Sequence, residues 1–320
     1  MKLVTFDELS ASMDLDRVMI ALSAFNSALL RRHVELWRQR TTTFADYVGV
    51  FAVDGGRVVG QIIVLRIPYT FPHGSETITG IASVATRPDY ARSGIAGKIL
   101  ADIHRREVEA GIEHAALWTN RSWGAHRLYE RFGYRDIYLS PWAVRMPNPP
   151  AQPRPITGVR AAQSSDIDSI EQLHGQYARG RLGFQPRLQN SLRLSVETEE
   201  ISLTNNLLVA HLGRRLAGYA FVDVNPWRVV CGELVGSSRA ARLSLVRAVE
   251  RRAASRPVAF RHTVAKGNEP LLRARGYTVL DTTWYALMGA RLRGGVSASR
   301  TIDEFGTRDR RFLCMSGDQF

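Results

Sequence analysis

Between residues 14 and 40 apolar side chains recur at helical spacing, with Val18, Leu22, Phe25, Leu29 and Leu36 on the repeat, which predicts one long or two shorter helices. The period then changes. YVGVFAV at 47–53 and RVVGQIIVLRI at 57–67 are β-branched, apolar runs on either side of Asp54-Gly55-Gly56, the chemistry of a hairpin turn. A strand over Thr77 to Thr86 follows, then a glycine-containing loop, a helix at 94–110, a strand from Ala115 to Thr119, a helix at 123–132 and a strand from Tyr134 to Val144. Strands and helices mixed in this order predict an α+β fold, not a regular doubly wound sheet.

The run Asn148-Pro149-Pro150-Ala151-Gln152-Pro153-Arg154-Pro155 excludes helix and lacks ladder donors, so it reads as an extended linker. The second half then repeats the first. Val58-Val59-Gly60 recurs as Leu216-Ala217-Gly218, each after a Gly-Arg turn. Leu128-Tyr129-Glu130-Arg131-Phe132-Gly133-Tyr134 recurs as Leu271-Leu272-Arg273-Ala274-Arg275-Gly276-Tyr277. A diverged internal duplication is expected: a first domain over 1–147, a linker at 148–155, a second domain over 156–290 and a C-terminal arm at 291–320.

Composition narrows the class. A hydrophobic fraction of 45% and a charged fraction of 23% suit a folded globular protein of 320 residues. The two cysteines, Cys231 and Cys314, lack zinc-site or disulfide-framework spacing, so no metal is expected and a reducing cytoplasm is the natural setting. Asp7 and Glu8 interrupt the N-terminus before any long apolar run, and no stretch approaches the roughly 18 apolar residues of a membrane span, so no membrane partner is expected. The net charge of +13 would attract a polyanion. Arg239, Arg242, Arg247, Arg251, Arg252 and Arg256 share one predicted helix but no single stripe, and no aromatics interleave them, so nucleic acid is not the expected partner.

The chemistry concentrates in residues 84–134. After the Pro88-Asp89 turn, Ser93-Gly94-Ile95-Ala96-Gly97 opens an amphipathic helix. Small residues there let the backbone approach a ligand, and the helix N-terminus presents amides to a pyrophosphate. Arg92 adds a charge.

Ala91-Arg92-Ser93-Gly94-Ile95-Ala96 resembles the Arg/Gln-x-x-Gly-x-Gly/Ala loop of the GCN5-related N-acetyltransferases (GNAT), with Ala91 departing at its first position. Residues 124–134, GAHRLYERFGY, resemble the same family's helix-and-turn signature through Ala125, Leu128, Tyr129, Gly133 and Tyr134. The resemblance implies two tandem domains, each a mixed, mostly antiparallel sheet flanked by helices, and an acyltransferase using acetyl-coenzyme A as co-substrate. It implies a small-molecule amine or a protein amino group as acceptor. By the same resemblance Arg92 to Gly97 cradle the pyrophosphate, the backbone of Val84 and Thr86 on either side of Ala85 holds the pantetheine and polarises the thioester, and Tyr129 is the general acid.

Glu76 and His73 are candidate bases acting through water. The tandem pattern also has a distant likeness to the first two domains of the enhanced-intracellular-survival type acetyltransferases, in which a terminal carboxylate serves as base; here that group would belong to Phe320. The second domain carries Gly236-Ser237-Ser238-Arg239 where the cofactor loop would be and Leu272 at the Tyr129 position, so it is expected to be degenerate, walling the acceptor cleft with aromatics such as Trp227 or Tyr219. The alternative is a non-catalytic coenzyme A sensor or nucleic-acid-associated protein with a vestigial fold. The acceptor, the acyl chain and the oligomeric state are not encoded in any transferable motif.

Overall fold

The structure is a computed structural model describing residues 1–146, 158–184, 190–281, 283–293 and 298–315. The proline-rich linker at 148–155 and Phe320 lie outside the described residues. Chain contacts divide the protein into two compact units, one containing Met1–Tyr138 and Tyr285–Arg308, the other Leu139–Trp284 and the segment from Asp309 onward.

The first unit begins with β1 (Lys2–Thr5), α1 (Asp14–Phe25) and α2 (Arg31–Arg40). Asn26, left-handed at φ 54°, ends α1 and separates the two predicted helices. Strands β2 (Phe44–Asp54) and β3 (Arg57–Phe71) form the predicted hairpin, with Gly55 and Gly56 both at positive φ, as its two-residue turn requires. Then come β4 (Gly74–Thr86), α3 (Ile95–Glu109), β5 (His114–Asn120), α4 (Gly124–Arg131) and β6 (Arg135–Leu139).

The second unit contains β7 (Trp142–Arg145), β8 (Val159–Ala161), α5 (Ile167–Ala178), β9 (Leu182–Gly183), α6 (Ser191–Glu197), α7 (Leu203–Asn206), β10 (Leu207–Leu212), β11 (Arg215–Val224) and β12 (Val229–Gly236). It continues with α8 (Arg239–Ala253), β13 (Val258–Arg261), α9 (Thr263–Gly267), α10 (Glu269–Arg273) and β14 (Thr278–Leu280). Strand β15 (Tyr285–Arg291) and helix α11 (Ala298–Phe305) return to the first unit, and β16 (Phe312–Leu313) pairs with β9 in the second.

The first sheet runs β1-β2-β3-β4-β5-β15-β6, and the second β14-β7-β13-β12-β11-β10-β8. On one face of the first sheet α3 packs Ile95, Ile99, Leu100 and Ile103 against Val59, Ile62, Val64 and Leu117. On the other, Ile20 of α1 and Val34 of α2 cover Val58, Ile63 and Ala85. The second unit has its own core, including Val209, Tyr219, Val235, Leu245, Val249 and Phe260.

The linear division into domains needs correction. The apolar run over 134–144 is not one strand: it breaks at Ser140-Pro141, where β6 ends in the first sheet and β7 begins in the second, pairing with β13 and β14. Conversely β15, expected in the second domain, lies in the first sheet and pairs antiparallel with β5 from Tyr285↔Asn120 to Arg291↔His114. The expected arm over 291–320 is likewise shared, α11 packing in the first unit and β16 in the second. Alternating burial tells which face a residue occupies but carries no information about which strand will pair with it.

Candidate functional site

Strands β4 and β5 run parallel and pair at Thr79↔Ala115 and Gly80↔Ala116. Beyond these pairs they share none, so among the described residues Ile81–Thr86 and Leu117–Asn120 face each other across a wedge without ladder pairing. The cause of the splay lies in β4. Against β3 the register steps from Ala85↔Gln61 to Ala82↔Ile63, so Ser83 and Val84 stand opposite Ile62 alone. Ser83 has φ 51°, and such a bulge bends its strand.

Past Thr86 the chain makes one tight turn at Pro88–Tyr90 and then takes up left-handed backbone at Arg92 (φ 61°) and Gly94 (φ 80°). Within this loop the Ala91 N–H donates to the Pro88 carbonyl at 3.1 Å, and the Ser93 hydroxyl to the Tyr90 carbonyl at 2.5 Å. Gly94 caps α3 without any side-chain hydrogen bond, and the first helical bond runs from the Lys98 N–H to the Gly94 carbonyl at 3.1 Å. The amides of Ile95, Ala96 and Gly97 are therefore open by helix geometry, and the space around Gly94 is clear. This is an anion cradle.

Two contacts fix the cradle. A Cβ on Gly60 of β3 would lie 2.7 Å from Ile95 Cγ2, so α3 starts directly upon a glycine. Gly97 faces the Phe132 ring at 3.6 Å from its Cβ direction. Ile95 and Gly97 thus offer a ligand their amides while their other sides pack. The loop is also tied to the β2–β3 hairpin, since the Tyr90 hydroxyl donates to Asp54 at 3.1 Å, and it is braced internally by Arg87 forking onto Asp89 at 3.0 and 2.8 Å.

Tyr129 of α4 joins the cluster that holds Ile81, Val84 and Ile95. Its side chain is 5% exposed, and burial pushes the phenol up to about 12. Among the described residues its hydroxyl has no hydrogen-bond partner. Its carbonyl accepts from the Phe132 N–H at 2.9 Å and the Tyr134 N–H at 3.1 Å, with Gly133 at φ 87°, a helix end that locks the turn. At the other end of α4, Asp136 accepts from Arg121 at 2.9 Å and pairs with His126 at 2.8 Å.

The structure does not bring Glu76 and His73 to this wedge. They pair with each other at 2.9 Å near the β3–β4 turn, and Glu76 also lies 3.5 Å from His114. Ser83 is seven residues further along the same strand, roughly 23 Å at extended spacing. Both therefore stand at the turn end of β4, away from the bulge. A terminal carboxylate at Phe320 lies outside the described residues. Sequence reading missed Gly60 and the Ser83 bulge. Gly60 carried a signal, since it recurs as Gly218, but the bulge has none in sequence.

The second unit repeats this frame and closes it. Gly218 pairs with Gly236 as Gly60 pairs with Thr86, and a Cβ on Gly218 would meet Leu245 of α8 at 3.0 Å. The α10 end repeats the α4 end: the Leu272 carbonyl accepts from Arg275 at 2.9 Å and Tyr277 at 3.1 Å, with Gly276 at φ 81°. Here, however, β12 enters α8 through Ser237 and Ser238 alone. The Ser238 hydroxyl accepts from the Ala241 amide at 3.1 Å, and Arg242 donates to the Gly236 carbonyl at 3.1 Å. Leu272 is fully buried where Tyr129 would be. Tyr219 corrects the expectation of a cleft-lining aromatic, being wholly buried between His174 at 2.8 Å and Glu233 at 3.0 Å. Trp227 stays 82% exposed beside the Asn225 turn.

A bulged, splayed β4 stands beside a helix with open N-terminal amides. Residues 13–137 match the family model described as acetyltransferase (GNAT) domain. A GCN5-related N-acetyltransferase from Anabaena variabilis superposes with a TM-score of 0.64 at 13% identity, over 91% of this chain and 73% of its own. One from Kribbella flavida gives 0.60 at 19% identity, over 90% and 70%. Eis1 from Mycobacterium abscessus gives 0.57 at 15% identity, over 90% and 74%. No curated protein matches the chain in sequence. Residues 13–137 thus match a GNAT domain, and the chain as a whole has the fold of these two-unit proteins.

Proposed function

We propose that the protein transfers the acetyl group of acetyl-coenzyme A to a primary amine of a small molecule or protein, with Tyr129 as general acid. The observation that carries this reading is the gathering of Val84, Ile95 and Tyr129 in one cluster at the split between β4 and β5. The bound thioester supplies an electrophilic carbonyl and a sulfur leaving group. Open amides at Ile95, Ala96 and Gly97, with Arg92 beside them, suit a pyrophosphate, and the bulged backbone at Val84 to Thr86 offers polar groups to the thioester arm.

Tyr129 holds its proton throughout the neutral range, because burial sets the phenol at about 12. That is about 3.5 units above an ordinary thiol, so full transfer to a free thiolate would be uphill by about 5 kcal/mol. Tyr129 therefore donates while the carbon–sulfur bond is breaking and the sulfur charge is partial. It regains a proton from the one the acceptor nitrogen sheds, which balances the reaction.

The test is thiol release on incubation with acetyl-coenzyme A and a panel of amines. Tyr129→Phe is expected to lower kcat by about 100-fold or more while the coenzyme A dissociation constant stays within about threefold. Unchanged turnover in that variant would remove Tyr129 from the mechanism. Coenzyme A binding without thiol release from any amine would favour a non-catalytic sensor.

A further inference from the structure

Arg17 of α1 is a buried guanidinium without a matching anion. It is 2% exposed, yet its Nε and Nη2, which form one edge of the group, have no hydrogen-bond partner. Among the described residues its one ion pair runs to Asp14 at 3.7 Å, beyond hydrogen-bond reach. That carboxylate is already forked by Arg31 at 2.9 and 3.2 Å, and the neighbouring Asp16 is taken by Arg57 at 3.1 Å. Arg17 and Arg31 both lie over the Phe6 ring, at 5.7 and 4.6 Å, a face that favours cations but leaves the N–H edge of Arg17 unmet. Two guanidinium groups therefore share one carboxylate, and burial pulls Arg17 below its ordinary value. A buried charge left in this state costs stability that an apolar side chain would not, so the position calls for a ligand that completes it.

A second open group faces the same layer. Gln61 of β3 stands across from Phe51 on one side and Ala85 on the other, and cross-strand partners share a face. Phe51 and Ala85 belong to the cluster that Ile20 of α1 covers, so Gln61 points toward α1. It too is 2% exposed, with its Oε1 unpartnered. Ala85 sits between Val84 and Thr86, the backbone assigned above to the thioester arm, and Arg87 just beyond lies 4.0 Å from Asp16, the residue before Arg17. Both open groups thus belong to the end of β4. Ala82, packed in the same layer at the bulge, is only half-buried, so solvent reaches the layer there.

The chemistry of the two groups selects the ligand. One open edge of a guanidinium takes a carboxylate through two parallel bonds, and an amide oxygen takes an N–H. Resting on the acetyl transfer proposed above, we propose that the acceptor is a free amino acid, its carboxylate held by Arg17 and its amine donating to Gln61. The amide oxygen accepts that N–H without removing the proton, which leaves the nitrogen lone pair to attack the thioester carbonyl. The carbon–nitrogen bond forms, the carbon–sulfur bond breaks, and the proton shed by nitrogen replaces the one Tyr129 gives to sulfur. A lysine side chain within a protein has no carboxylate beside its amine and would leave Arg17 unmatched.

The test compares the free amino acids with their amides and their decarboxylated amines, by thiol release from acetyl-coenzyme A and by titration calorimetry on the full chain loaded with coenzyme A. At least one amino acid is expected to react with kcat/KM about 100-fold or more above its amide, which keeps the amine and loses the charge. Arg17→Met is expected to erase that preference and Arg17→Lys to restore part of it, whereas an arginine with only a structural role would lower both substrates together. The proposal is overturned if an amine without a carboxylate serves the wild type as well as any amino acid, or if Arg17→Met keeps the preference. Should no amine release thiol, acetyl transfer itself fails and calorimetry decides the site: an amino acid whose binding Arg17→Met weakens by about 100-fold supports it, and binding of none refutes it. Should Arg17→Met fail to fold, the wild-type comparison of acid with amide still decides.

Discussion

At the scale of single residues, burial sets proton affinities that can be read in experiments. With Tyr129 as the proposed general acid and its phenol at about 12, the alkaline limb of kcat is expected near pH 12, not near the ordinary tyrosine value of about 10. A pH–rate profile that falls between pH 9 and 10.5 without loss of folding would assign that limb to another group. His104 shows the opposite sign. Its Nε2 is hydrogen-bonded to the Tyr134 hydroxyl at 3.0 Å, and burial pulls the imidazole down to about 4. Between pH 6.5 and 4 the unfolded chain binds the proton and the folded chain does not. Stability is thus present above pH 6.5 and falls by up to about 3 kcal/mol as pH drops to 4. Replacing His104 by Gln is expected to flatten that part of a denaturation series, which urea midpoints at successive pH values would show. Tyr129 was legible in the sequence because its neighbours Leu128, Gly133 and Tyr134 form a recognisable turn. Glu76 and His73 were legible only as chemical types, because type alone does not reveal position along a strand.

At the scale of elements, the two strand-to-helix junctions are a built-in comparison. Both sheets place a glycine under the following helix, Gly60 beneath the first residue of α3 and Gly218 beneath Leu245 in the middle of α8. The first junction inserts a loop with left-handed Arg92 and Gly94 and leaves its amides without a side-chain cap, while the second caps the Ala241 amide with Ser238. Substituting Gly60 by Val would press on Ile95, displace the first turn of α3, and destabilise by about 1–3 kcal/mol. Coenzyme A affinity should fall at least tenfold in a titration at a temperature where the variant is folded, a loss of about 1.4 kcal/mol. Ser238→Ala should cost about 1 kcal/mol of stability, or roughly 2–4 °C in melting temperature, with coenzyme A affinity unchanged. An affinity change there would mean that the second junction also takes ligand. The hairpin at Asp54-Gly55-Gly56 and the glycine-opened α3 were readable because turn chemistry is local. The Ser83 bulge was not, because it exists only as a mismatch between two strands.

At the scale of the whole molecule, the exchange of strands decides what can fold. Residues 134–144 read as a single strand because burial continues through them, yet Pro141 marks where the chain passes from one sheet to the other. The first unit therefore depends on a strand made almost 150 residues after β6 ends at Leu139. Strand β15 contributes Ala286, Leu287, Met288 and Ala290, all essentially buried, and satisfies the whole length of β5. Losing the Leu287 and Met288 side chains alone would cost about 2–5 kcal/mol each, comparable with the 5–15 kcal/mol that holds a typical domain folded. The loss would also open an edge on β5 to aggregation. A fragment of residues 1–147 is therefore expected to be insoluble or to melt without cooperativity. The same fragment joined through a flexible Gly-Ser linker to residues 283–308 should recover a cooperative transition and coenzyme A binding. If residues 1–147 alone melted cooperatively and bound coenzyme A as tightly as the full chain, β15 would be dispensable, and the linear division of the chain would describe its folding better than the sheet order does.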